Sequence, residues 1–224
     1  MSSEKSKPKG ESGPIAIGAN GSHWDIAKLP NGKAERERHV ADVIANASSH
    51  AVSGESDPSW MPIEIAAQNS EADLDFTINT AAGKKLMELV EFAPISEFGR
   101  SFSDAPMSVE PKAKAKLALD RVNAKSAKQG GPDRVLVIHA SEHAFQLDIF
   151  TIEIMRRALN RDPPGFDRVY FVSVDNLLQG PLSEIYPAAP FGRVGEMSDD
   201  ELEKCNVTIP HPRDLIGGQE PPQA

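Results

Sequence analysis

The stretch from residue 73 to residue 93 reads DLDFTINTAAGKKLMELVEFA and decides the fold. Two largely apolar runs, 73–79 and 84–93, flank the four small residues 80–83, and this pattern predicts a β-hairpin. We expect a three-residue loop, 81–83, in which Gly83 takes the left-handed conformation. Each predicted strand carries a carboxylate among apolar neighbours, and the hairpin therefore brings acidic side chains together within a sheet.

Asp75 and Glu91 are the carboxylates that this hairpin is expected to combine. The three-residue loop places Asp73 opposite Glu91 and Asp75 diagonal to it on the same face, so either Asp is positioned to act with Glu91. Carboxylates are costly to bury unless positive charge meets them. Paired carboxylates on one face are one way to build a site for a hard cation such as Mg²⁺.

The rest of the chain alternates between helical and strand patterns. Apolar residues at 3.6-residue spacing predict helices, and short apolar runs between turn signals predict strands. The last two strands are continuous enough to be buried, and the run 134–139 is expected to be parallel to a neighbour. The helices are expected over 33–48, 110–129 and 147–160, and the strands over 60–67, 134–139 and 166–174 in addition to the hairpin. This order predicts an α/β protein with a mixed sheet flanked by helices.

Composition sets the organisation and the surroundings of the protein. The 224 residues carry a net charge of −9 and a single cysteine, Cys205, which excludes an internal disulfide and a cysteine-based zinc site. No apolar run reaches the roughly 20 residues of a membrane span, and the N-terminal residues lack the apolar core of a signal peptide. We expect a soluble cytoplasmic protein with a disordered tail (1–13), one α/β domain (14–180) and a partly disordered Pro-rich extension (181–224).

The hairpin and the element order together resemble the restriction-endonuclease-like superfamily, the PD-(D/E)xK nucleases. The core of that superfamily is an α-β-β-β-α-β unit, with an Asp opening the second strand and a Glu-x-Lys in the third. Here Leu74-Asp75-Phe76 is similar to the first motif and Glu91-Phe92-Ala93 to the second, and the resemblance covers roughly residues 33–175. It implies a divalent-metal-dependent nuclease in which Asp75 and Glu91 hold Mg²⁺ or Mn²⁺, with Glu37 as a further acidic residue beside the metal.

The chain departs from the superfamily at one catalytic position. Ala93 stands where the signature Lys is expected, and that Lys stabilises the attacking water or the charge that develops on phosphorus. Some relatives supply the Lys from the next helix, which makes Lys125 and Lys128 the candidates here. Two alternatives stay open: a nuclease-fold module that binds or regulates without catalysis, and an unrelated α/β protein whose hairpin is only structural.

The predicted second helix carries a local excess of positive charge in an otherwise acidic chain. Its basic residues include Lys112, Lys116, Arg121 and Lys125, against only two acidic residues over 110–129. Such a face is suited to contacts with nucleic-acid phosphates. The alternative is an ordinary solvated helix face.

Overall fold

A six-stranded mixed sheet forms the centre of the computed structural model, which describes residues 15–18, 21–24, 29–49, 60–69, 74–94, 108–142, 145–174 and 182–208. The strands are β1 (Ile15–Gly18), β2 (Gly21–Trp24), β3 (Glu64–Gln68), β4 (Phe76–Thr80), β5 (Gly83–Glu91), β6 (Ser108–Val109), β7 (Arg134–Ala140), β8 (Arg168–Ser173), β9 (Leu182–Tyr186) and β10 (Val207–Thr208). The helices are α1 (Lys33–Ser49), α2 (Pro111–Gln129), α3 (Ile149–Arg161) and the short α4 (Asp199–Glu203).

The large sheet has the strand order β3-β4-β5-β7-β8-β9. The pairs β3–β4 and β4–β5 are antiparallel, β5–β7 and β7–β8 are parallel, and β9 returns antiparallel to β8. The predicted α/β class with a mixed sheet and the parallel pairing of the strand predicted over 134–139, which is β7, are therefore confirmed. Parallel strands need helical crossovers, and α2 and α3 provide the two that this sheet requires.

Helices cover the sheet on both faces. Helix α1 buries Val40 and Ile44 against Met87 and Leu89 of β5 on one face. Helices α2 and α3 bury a second cluster on the other face, against which Val90 of β5 packs. Because successive strand residues point to opposite faces, Glu88 lies on the α2 side. Complete burial of a side chain such as Ile44 contributes roughly 1.5–3 kcal/mol to stability.

The hairpin register differs from the prediction by one residue. Thr80 pairs with Gly83 and Asn79 with Lys84, so only Ala81 and Ala82 connect β4 to β5. The expected three-residue loop is therefore wrong. Gly83 does take a positive φ of 103°, but it does so as the first residue of β5.

Strand pairing also continues beyond the predicted end of the domain at residue 180, in the six-stranded sheet and in a separate two-stranded one. Strand β9 pairs with β8, and β10 pairs with β6. Residues 182–208 are thus integrated into the fold, whereas their proline content had suggested an extension. Among the described residues no helix is long and apolar enough to cross a bilayer.

Candidate functional site

The second half of β5 is not covered by β4, because the pairing between the two strands stops partway along β5. The ladder between the two strands runs from Thr80–Gly83 to Phe76–Met87 and stops there. Beyond it, Glu88 to Glu91 border a mostly polar cleft of about 440 Å³, which the start of α1 and the end of α2 close from either side. The cleft therefore lies where β5 changes from an antiparallel to a parallel neighbour.

Asp75 and Glu88 face each other across the mouth of this hairpin. One step beyond the pair Phe76–Met87, the same register places Asp75 opposite Glu88. Side chains that are directly opposite on antiparallel strands share a face, with Cβ atoms about 4.5–5.5 Å apart. The Leu89 N–H donates to Asp75 Oδ2 at 2.7 Å, which places the Asp75 carboxylate beside the backbone that follows Glu88.

Asn69, just after β3, fixes the chain that presents Asp75. Its backbone N–H donates to the Asp75 carbonyl at 2.8 Å, and its Nδ2 donates to the Leu74 carbonyl at 2.7 Å. Thr77 Oγ1 in turn donates to Asn69 Oδ1 at 3.1 Å. Asp75 therefore precedes β4 in a segment that is held by hydrogen bonds on both sides.

Glu88 is the most buried acidic side chain of the cleft, with 3% of its surface exposed. Lys125 of α2 forms a hydrogen-bonded ion pair with its Oε1. Within the described part of the chain, the other oxygen, Oε2, is buried and has no hydrogen-bond partner. Buried polar atoms are nearly always paired, so this oxygen lacks the partner that a bound ligand would supply.

Glu37 approaches the same cleft from α1. Burial raises the pKa of its carboxyl group, and the negative charge of Asp75 raises that pKa further. Lys33, at 3.5 Å, acts in the opposite direction. The smaller contributions of Asp75 and Glu88 to this rise show that acidic side chains lie close to Glu37 at the cleft, an arrangement that favours a cation.

Glu91, the predicted partner of Asp75, borders the cleft but is engaged elsewhere. Ser141 Oγ donates to Glu91 Oε1, and Glu91 lies beside His139 in the parallel ladder. By strand alternation it points to the face opposite Glu88. The structure therefore does not pair Asp75 with Glu91 across the hairpin, and Asp73, the other predicted candidate, lies outside the described residues.

The two candidate lysines occupy different environments on α2. Lys125 lines the cleft together with Gln129, one turn later, whereas Lys128 is exposed and is not among the lining residues. The helix therefore presents positions 125 and 129 to the cleft. Sequence reasoning missed Gln129 and Glu88; an acid between Met87 and Leu89 in a core strand is the signal that would have found Glu88.

The basic face of α2 is partly neutralised by the fold. Lys112 pairs with Glu203 of α4 at 2.7 Å, and Lys125 pairs with Glu88. Arg121 is half-buried and Lys116 is exposed. The four predicted nucleic-acid contacts thus do not form one continuous exposed patch.

The residues present fit a cation that needs few protein ligands. Across the described residues, no group of three or more His, Cys, Asp or Glu side chains is placed to hold a metal ion. The predicted set of Asp75, Glu91 and Glu37 is therefore not assembled as a three-ligand centre. Mg²⁺ commonly uses one or two carboxylates and keeps several waters, and Asp75 with the unpaired oxygen of Glu88 meets that requirement.

Comparison of the chain with protein-family profiles, with curated proteins and with solved structures gives no match.

Proposed function

We propose that the protein is a divalent-metal-dependent phosphodiesterase of the nuclease type, with Asp75 and Glu88 as the metal ligands. The observation that carries this proposal is the buried Glu88 carboxylate opposite Asp75, one oxygen of which has no partner among the described residues. Leaving such an oxygen without a partner costs free energy. A functional ligand accounts for that cost, and Mg²⁺ or Mn²⁺ is the class that prefers carboxylate oxygens.

The chain's own residues supply the remaining requirements of phosphodiester cleavage. A bound divalent cation would polarise a phosphoryl oxygen and lower the pKa of a coordinated water. Asp75, whose backbone is held by Asn69, would orient the cation. Lys125 would place an ammonium group beside the phosphate, where it stabilises the negative charge that grows in the transition state.

The element order supports a relationship with the restriction-endonuclease-like nucleases. Helix α1, the strands β3 to β5, helix α2 and strand β7 follow one another in the order expected of that core, and among the described elements the two-residue β6 is the insertion. With Glu88 as the acidic residue, Val90 stands in the position of the signature Lys. Lys125 from the following helix then takes the role of that Lys, in the manner of some relatives.

Metal-dependent stabilisation tests the ligand assignment. We expect Mg²⁺ or Mn²⁺ to raise the melting temperature of the wild-type protein, because a metal at about 100 times its Kd adds about 2.7 kcal/mol to the free energy of unfolding. Asp75→Asn and Glu88→Gln should abolish this shift. Glu91→Gln should retain it, since Ser141 already engages that carboxylate, and Glu64→Gln on the exposed edge of β3 is the surface control.

Cleavage assays on single- and double-stranded DNA and RNA, with EDTA as the metal-free reference, test the reaction itself. We expect cleavage that requires the metal and is lost in Asp75→Asn. If no divalent metal shifts the melting temperature of the wild-type protein, the metal site and the nuclease function are both refuted.

A non-catalytic binding or regulatory module is the second candidate. The observation that favours it is the ion pair between Lys125 and Glu88, which already compensates the buried carboxylate without a metal. Under this alternative, the protein binds nucleic acid equally well with metal or with EDTA and cleaves none of the substrates. An electrophoretic mobility-shift assay run beside the cleavage assay separates the two functions.

A further inference from the structure

The ion pair between Glu88 and Lys125 joins two groups of unequal burial. The Glu88 side chain is 3% exposed, whereas 29% of the Lys125 side chain remains in contact with solvent. The ammonium group therefore reaches a buried carboxylate from the open side of the cleft. Its contact uses Oε1 and leaves Oε2 unpaired within the described residues.

The backbone that carries Lys125 is firmly held, so the side chain is the part that can change position. Just after it, Ser126 Oγ accepts from the Gly165 N–H at 3.2 Å, and the Gly130 N–H closes the helix onto the Ser126 carbonyl at 3.0 Å. Val122, one turn earlier, is completely buried. A lysine has a flexible four-carbon stem, which lets the ammonium leave Glu88 without movement of α2.

We propose that Lys125 competes with the divalent cation for Glu88: it occupies the carboxylate when the metal is absent, and metal binding displaces its ammonium group toward the open cleft, where it receives an anionic group such as a phosphate. This inference rests on the proposed function, because it assumes that Glu88 is a metal ligand. The inference adds an order of binding: the cation binds first and releases the Lys125 ammonium group, which can then bind the anionic group.

Electrostatics and coordination chemistry both support the displacement. An ammonium group carries no lone pair and cannot join the oxygen ligands of a cation such as Mg²⁺. Like charges that share one buried carboxylate repel strongly, because the surroundings screen them poorly. The metal and the Lys125–Glu88 contact therefore weaken each other, and such coupling is reciprocal, with a usual size of roughly 5- to 150-fold in affinity.

Metal affinity in a lysine variant gives the first test. Mn²⁺ is titrated by calorimetry at pH 8 into wild-type protein, Lys125→Met and the control Lys84→Met, an exposed lysine on β5 outside the cleft. We expect Lys125→Met to bind Mn²⁺ at least about fivefold more tightly and Lys84→Met to match the wild type. An unchanged or weaker affinity in Lys125→Met, with binding retained in the wild type, overturns the competition but leaves the metal site standing.

Chemical labelling of the unaltered protein gives the second test and does not depend on the folding of a variant. Lysines are acetylated with acetic anhydride in the presence of EDTA or Mn²⁺, and each site is quantified by peptide mass spectrometry. We expect Mn²⁺ to raise the labelling of Lys125 severalfold relative to that of Lys84. Equal labelling of Lys125 with and without bound Mn²⁺ overturns the displacement, and the absence of Mn²⁺ binding in calorimetry overturns the proposed function together with it.

Discussion

His139 shows how the position of one residue in the sheet sets its chemistry. It lies near the end of β7, beside Glu91, and its Nδ1 is buried and unpaired within the described part of the chain. Burial lowers the pKa of the imidazole to about 4, although the negative charge of Glu91 acts to raise it. The side chain is therefore neutral in the folded protein at pH 7.

The low pKa of His139 predicts a loss of stability in mild acid. Between pH 6.5 and about 4 the unfolded state binds a proton on this residue and the folded state does not. The free energy of unfolding is therefore highest above pH 6.5 and falls as the pH drops through this window, by about 3 kcal/mol at most. His139→Gln should flatten the decline in urea denaturation measured across this range. Equal slopes for both proteins would contradict the assignment.

The choice between Glu88 and Glu91 also depends on a single residue. The sequence predicts the hairpin and a carboxylate partner for Asp75, but not whether two or three residues form the loop. Because side chains alternate between faces, an error of one residue in the register changes which side chain lies opposite Asp75. Tertiary context supplies the information that was lacking, since Lys125 and Glu88 lie 37 residues apart.

At the scale of elements, α3 begins with a cap that also contacts α2. Asp148 accepts from the Thr151 N–H at 2.9 Å, and its other oxygen lies 3.8 Å from Lys114 Nζ. Lys114 is almost fully buried and donates to the Gln146 carbonyl at 3.0 Å. Burial lowers the pKa of this lysine, and Asp148 opposes that effect. One carboxylate thus stabilises a helix start and a buried cation.

Substitutions at Asp148 should separate these two roles. Asp148→Asn keeps a capping oxygen but removes the charge, whereas Asp148→Ala removes both, and loss of the cap alone costs about 1 kcal/mol. We therefore expect urea denaturation to rank the proteins wild type, Asp148→Asn and Asp148→Ala in order of falling stability. Equal stability of the alanine and asparagine variants would show that the cap contributes nothing measurable.

Local pattern predicted the helix α1 but missed the short strand β9. Helix α1 ends within one residue of the predicted 33–48, because its buried apolar residues between Val40 and Ala47 repeat at helical spacing. Strand β9 has only five residues, and its polar residues Ser183 and Glu184 obscure the alternation. Glu184 is nevertheless buried, because Arg168 at the start of β8 pairs with it at 2.6 Å. Because Arg168 is distant from Glu184 in sequence, a local sequence pattern cannot predict this pair.

At the scale of the whole molecule, the C-terminal part of the chain belongs to the core. Arg156 of α3 donates through two nitrogens to the Glu184 carbonyl in β9, at 2.9 and 2.7 Å. Farther along, Arg157 donates to Asp199 at the start of α4 at 2.8 Å and to Glu153 at 2.9 Å. The segment 182–208 is thus tied to the sheet and to α3.

Truncation of a single β9 side chain tests this integration. Ile185 is completely buried in the α2–α3 cluster, so Ile185→Ala should lower the free energy of unfolding by roughly 2–5 kcal/mol. Leu182→Ala, at the half-buried start of the same strand, should cost less. A change within about 0.5 kcal/mol for Ile185→Ala in urea denaturation would show that β9 is not part of the cooperative unit.

The separation in sequence between the hairpin and Lys125 has a consequence for the order of folding. Contacts that are close in sequence form before distant ones, so Asp75 and Glu88 approach each other while α2 is still undocked. The repulsion between the two carboxylates then destabilises the newly formed hairpin. An isolated two-stranded hairpin is already marginally stable at best. Docking of α2 brings the Lys125 ammonium group to Glu88 and compensates its charge. A hairpin whose register is shifted by one residue would turn the Glu88 side chain away from Lys125. The arrival of α2 thus stabilises the hairpin only when its strands are correctly aligned.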